Sequence, residues 1–161
     1  MLPDVTPAVT PELDPGFCPA VLWNRAYAAA AAADADAEEL VLTVTRSDGT
    51  TSRRETRILP HTPANRAGNE RYVERLVKCM LWVYGGYRIT VGGNPELAAA
   101  IGQAYSDGGS RAFDCDIMGT KIYGRPLTVE SCEPGQAPAA EETEAGLGRN
   151  LDGCRTDDPG E

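Results

Sequence analysis

The chain has 161 residues and a formal net charge of −9, room for one domain of ordinary size. The charge is unevenly spread: from Glu133 onward eight acids face two bases, leaving −6, and the rest of the chain, with 16 acids and 13 bases, is at −3. An acidic balance repels phosphate backbones and argues against nucleic-acid binding, and no run approaches the ~18 apolar residues of a membrane span.

In chain order, Met1–Pro15 holds four prolines and no periodic apolar face, and residues 1–16 are expected to form an extended, disordered arm. Proline suits a first helical turn and alanine favours helix, so Pro19–Ala37 is predicted as a helix, with Trp23 on its core side. Leu40–Arg46 alternates, Leu42 and Val44 against Thr43 and Thr45. With Thr51–Leu59 it flanks Asp48-Gly49, a strong hairpin signal. The second strand carries Arg53, Arg54, Glu55 and Arg57, which suits an edge. Asn65–Tyr84 is the clearest helix. Tyr72, Val73, Leu76, Val77, Met80, Leu81 and Val83 form its apolar stripe, and Glu74 and Lys78 sit at pairing distance in sequence. Gly85-Gly86 ends it, Tyr87–Val91 is a short strand, and Pro95–Tyr105 is a further helix. Ala112–Met118 and Thr120–Ser131 are predicted as β segments. The order predicts an α/β (α+β) domain over residues 17–132: a small mixed sheet with about three helices packed on it. Residues 133–161 form an acidic, disordered tail or linker in this reading.

Five cysteines (Cys18, Cys79, Cys115, Cys132, Cys154), an odd count without a CxxC pair and without a leading signal peptide, point to a reducing, cytoplasmic setting. With a single histidine, a zinc site is not expected, and no cofactor is assigned.

Two segments carry candidate ligand-binding residues. The strand-to-helix turn Gly92-Gly93-Asn94-Pro95-Glu96 offers backbone N–H groups at a helix start, where anions are favoured. It lacks the third glycine of a dinucleotide site and the lysine of a P-loop, and Glu96 opposes an anion. The other segment, His61 to Arg71, collects His61, Arg66 and Arg71. Histidine is the side chain best suited to act as a general base near neutrality, but the sequence names no nucleophile or orienting partner for His61. Asp107, Asp114 and Asp116 would offer oxygen ligands to a divalent cation, with Asp114 and Asp116 on one face of a strand, but their spacing matches no EF-hand loop. Cys115, between two acids, is not expected to be a reactive thiol. No catalytic residue is assigned.

The run LPHTPANRAGNERYVERLVKCMLWVYGGYRITVGG from Leu59, then AYSDGGSRAFDCDIMGTKIYGRPLTVESCE to Glu133, with LGRNLDGCR at Leu147–Arg155, resembles the N-terminal region of long bacterial ROK-type proteins. That family comprises sugar kinases and repressors with an actin-like ATPase fold. The resemblance implies an accessory domain that precedes the kinase-like domain, with an ATPase-like domain or a like subunit as partner. In the family, a glycine-rich Asp-x-Gly phosphate loop would follow LDGCR, whereas here Thr156-Asp157-Asp158-Pro159-Gly160-Glu161 follows. No active-site residue of the family is therefore carried over, and a truncated or frame-disrupted product is the expectation. Two other functions compete with this one. One is a free-standing small-molecule or protein-binding module using the GGNPE turn or the His61–Arg71 segment. The other is an autonomous enzyme with His61, Asp114 and Asp116 as its acid/base groups.

Overall fold

A computed structural model describes residues 1–140. Helix α1 (Ala20–Ala33) leads into the hairpin β1 (Glu38–Thr45) and β2 (Thr51–Ile58), then α2 (Arg66–Tyr84), β3 (Arg88–Gly92), α3 (Pro95–Ala104), a single turn α4 (Ala112–Asp114) and β4 (Thr128–Cys132). The sheet is mixed, in the order β2-β1-β3-β4. β1 pairs antiparallel with both neighbours and β3 parallel with β4, so α3 is the crossover of a β-α-β unit. The fold is α/β, as the order of elements predicts.

Apolar periodicity builds the core. Leu40, Leu42 and Val44 of β1 and Ile89 and Val91 of β3 meet Tyr72, Val73, Leu76, Val77, Met80 and Leu81 of α2 and Leu97, Ala98 and Ile101 of α3. At ~1.5–3 kcal/mol per large buried side chain, α2 is the largest single contributor. Val83, expected on its inner stripe, is exposed. Helix α1 joins through an aromatic stack: Trp23 on Tyr27 at 5.3 Å between centroids and Tyr27 on Tyr72 at 4.3 Å. It ends at Ala33, short of the expected Ala37, because the Asp34 carboxylate accepts the Asp36 N–H at 2.9 Å and turns the backbone. The N-terminal arm has no helix or strand, but Leu2 and Val5 pack against the core, Leu2 directly over Gly68.

The predicted β segment Ala112–Met118 is helical instead, and of the second predicted segment, Thr120–Ser131, only the end is strand, in β4 at Thr128–Cys132. The turn α4 continues as a π-helix, Cys115–Tyr123, stopped by Gly124 in the left-handed region at φ 65°. Tertiary contacts override the β propensity here. The Trp82 indole N–H donates to Asp114 Oδ1 at 2.7 Å, Lys78 Nζ lies 3.7 Å from Asp114 Oδ2, and Cys115, Met118 and Gly119 turn inward at helical spacing. The expected Glu74–Lys78 pair is accordingly not made: Glu74 takes Arg111 and Lys78 takes Asp114.

β1 is buried on both faces, Val41 and Thr43 as well as Leu40, Leu42 and Val44. The second face is covered by the segment after β4, in which a 3-10 turn, Pro134–Gln136, packs against β1 and β3. Arg53 Nη1 then donates to the carbonyls of Ala137 at 3.2 Å and Pro138 at 3.3 Å. Residues 133–138 thus belong to the folded unit, contrary to the expected boundary at 132. Of the predicted disordered tail, residues 141–161 lie outside the described residues.

Candidate functional site

The fold brings the two candidate segments of the sequence together at one end of the sheet. Gly92 ends β3, Asn94 caps α3, and the loop between β2 and α2 carries His61 to the same place. The link between them is Glu38, at the start of β1. Its Oε1 accepts the backbone N–H of His61 at 2.6 Å and its Oε2 accepts Asn94 Nδ2–H at 2.9 Å. Nothing in the local sequence around Glu38 signals this role, which arises only from pairing β1 between β2 and β3.

The His61 side chain is 4% exposed. Its Nδ1 lies 3.1 Å from Asn69 Nδ2, and its Nε2 lies 3.9 Å from the exposed carboxylate of Glu96, to which Arg66 Nη2 also donates at 3.2 Å. The direction of every bond behind the ring follows from the backbone. Leu59 N–H donates to Tyr27 Oη at 3.1 Å, so the Tyr27 hydroxyl donates onward to Asn69 Oδ1 at 2.5 Å. That orients the amide, whose Nδ2 donates to the Leu59 carbonyl at 2.8 Å and to His61 Nδ1. His61 therefore accepts at Nδ1 and carries its proton on Nε2, facing Glu96. Burial pushes the Tyr27 hydroxyl up to about 12, which keeps it the donor this chain requires.

The GGNPE turn is equally closed on itself. Asn94 Oδ1 accepts the Leu97 N–H at 3.0 Å, the Asn94 carbonyl accepts Ala98 N–H at 3.0 Å, and Gly93 N–H donates to the Cys132 carbonyl at 3.2 Å. The glycines answer to packing. Gly93 sits at φ 129°, where a Cβ would come within 2.6 Å of the Glu39 carbonyl, and a Cβ on Gly92 would meet Cys132 Sγ at 3.3 Å. Of the donors that would hold an anion at this helix start, most are already engaged.

Arg71 does not bond to this cluster: its guanidinium lies over the Trp23 ring at 4.5 Å, joining α2 to α1. Asp114 and Asp116 are also elsewhere. Asp114 is held by Trp82, thirteen residues along α2 from the His61 partner Asn69, which is about 20 Å of helix. The two aspartates do not share a face as predicted, since the segment is helical: Asp114 is buried and Asp116 is exposed and paired with Lys121 at 2.9 Å. Among the described residues no three His, Cys, Asp or Glu side chains group as a metal site. Cys115 is pushed up by burial and by the charges of Asp107 and Asp114, the reverse of a thiol prepared for attack. The cluster can fix loops and strand ends; its one exposed polar surface is the Glu96–Arg66 pair.

Compared with known proteins, the chain matches no family model, no curated protein and no solved structure. No helix among the described residues is long and apolar enough to cross a membrane.

Proposed function

We propose that the chain is a non-catalytic N-terminal accessory domain of a ROK-type sugar kinase-like ATPase, and that it packs against the ATPase-like domain or a like subunit. The observation that carries this reading is the closed state of its best polar cluster. Leu59, Tyr27, Asn69 and His61 form one hydrogen-bonded chain in which each group serves its neighbour, and the Glu38 carboxylate ties His61 to Asn94. Such an arrangement suits a scaffold, and His61 Nδ1, the nitrogen a general base would use, is occupied by Asn69. The sequence run Leu59–Glu133 supplies the family. The described cysteines, all free thiols, support a cytoplasmic setting. The test mixes the purified chain with a separately expressed ROK-type ATPase domain, and also titrates the chain alone with ATP. A stable complex with the ATPase domain, and no heat of nucleotide binding by the chain alone, is expected. Tight ATP binding or phosphoryl transfer by the chain alone overturns the reading.

A further inference from the structure

The two edges of the sheet are built differently. The β2 edge is guarded by Arg53, Arg54, Glu55 and Arg57, the charged composition that discourages strand addition. The β4 edge, Thr128-Val129-Glu130-Ser131-Cys132, has one charge, the exposed Glu130, and that is paired across the sheet surface with Arg88 of β3 at 3.6 Å. The parallel register Arg88↔Thr128, Thr90↔Glu130 and Gly92↔Cys132 is bracketed by two bonds, Thr128 N–H to the Tyr87 carbonyl at 2.8 Å and Gly93 N–H to the Cys132 carbonyl at 3.2 Å. In a parallel ladder alternate residues bond the same neighbour. Thr128, Glu130 and Cys132 therefore bond β3, and the N–H and C=O groups of Val129 and Ser131 point away from the sheet, without a partner among the described residues.

A cavity of about 620 Å³ lies alongside this edge, with Leu127 and Val129 on one side, Gly102 and Tyr105 of α3 on another, and Cys115 of the π-helix as a further wall. Arg125, just before β4, lines it too. Its guanidinium is positioned by the Tyr87 hydroxyl at 3.1 Å and by the face of the Tyr87 ring at 4.8 Å, and it has no carboxylate partner among the described residues. An open strand edge beside a groove is the arrangement that takes an extended peptide as an added strand, with backbone bonds for affinity and alternate side chains in the groove for specificity.

We propose that β4 binds an extended segment of another polypeptide as a fifth strand, with an apolar side chain in the groove against Tyr105, Leu127 and Val129 and a single carboxylate at Arg125. Asp107 lines the same cavity and disfavours a run of acids. A second copy of this chain fits the edge less well, because a two-fold pairing centred on Glu130 sets two glutamates opposite each other. The reading holds whether or not the chain precedes an ATPase domain.

The test selects random heptapeptides displayed on phage against the full chain, then measures synthetic versions by fluorescence polarisation. Enriched peptides are expected to combine alternating apolar residues with one acid. Methylating the backbone nitrogens of such a peptide is expected to weaken binding about fivefold or more at one alternate set of positions and little at the other, the loss of about one hydrogen bond. On the protein side, Ser131→Pro removes an outward N–H without touching the β3 ladder and should weaken binding similarly, whereas Arg125→Glu should abolish the preference for an acid. The proposal is overturned if no peptide is enriched, or if binding is indifferent to N-methylation. It also fails if sedimentation shows a dimer that Ser131→Pro dissolves, which would assign the edge to self-association.

Discussion

Tyr27 on α1 and Asn69 on α2 meet through a 2.5 Å hydrogen bond between hydroxyl and amide oxygen, forty-two residues apart in sequence and both out of contact with water. That bond fixes which way the Asn69 amide faces, and through it the tautomer of His61 and the path of the β2–α2 loop.

Removing the amide should therefore be expensive. Asn69→Ala leaves the Tyr27 hydroxyl, the Leu59 carbonyl and His61 Nδ1 without their partner in a dry site. A loss of about 2–4 kcal/mol is expected, at ~1–3 kcal/mol per orphaned buried group with some relaxation. Urea denaturation checks it: the midpoint should fall while the slope stays unchanged, and a midpoint within error of the parent would show that the chain of bonds contributes nothing net.

The Tyr27 hydroxyl also sets an alkaline limit. In the unfolded chain a tyrosine loses its proton near pH 10, whereas burial pushes Tyr27 up to about 12 in the fold. The unfolded state thus releases the proton first, so the stability this group contributes is complete below about pH 10 and declines as pH rises toward 12. The decline should be on the order of 2 kcal/mol. Tyr105, raised by burial as well, adds to the slope in the same direction. Thermal melts between pH 9 and pH 12 should show the fall, and Tyr27→Phe, less stable at neutral pH, should show a shallower one.

The cysteines should react in order of exposure. Cys79 stands on the outer side of α2, and Cys115 is buried with its thiol held up by desolvation and by Asp107 and Asp114. Iodoacetamide at mildly alkaline pH, followed by peptide mass analysis, should alkylate Cys79 well before Cys115. Equal rates in the folded protein would mean that the π-helix opens readily.

Asp114 is the anchor of that π-helix. Asp114→Ala strands the Trp82 indole N–H and removes the partner of Lys78, and about 1–3 kcal/mol of stability should go with it. Asp114→Asn, which keeps an acceptor for the indole, should lose less. The emission of Trp82, already partly exposed, should shift to the red in the alanine variant only.

Most of the scaffold was legible because its signals are local. The three- and four-residue recurrence in α2, the Asp48-Gly49 turn and the proline at the start of α3 each appear where the sequence places them. The segment Ala112–Tyr123 reads as strand in the sequence because its helical state depends on Trp82 and Lys78, 32 and 36 residues from Asp114, and not on its own propensity. The polar cluster was legible only as two unconnected loops. His61 and Asn94 were visible as candidates, whereas Glu38, Asn69 and Tyr27, which hold them, look like an ordinary strand start, an ordinary helix residue and a core aromatic. Arg71 looked available for a ligand because a cation over an aromatic face leaves no periodic trace.

The clasp of Arg53 on the carbonyls of Ala137 and Pro138 redraws where an excision must be made. A fragment trimmed after the last strand would lay bare Val41, Thr43 and Thr90, one whole side of the central ladder, and would invite clumping rather than report on the intact fold. Anyone grafting this unit onto another protein should keep six further residues beyond Cys132 and let the junction begin past Pro138.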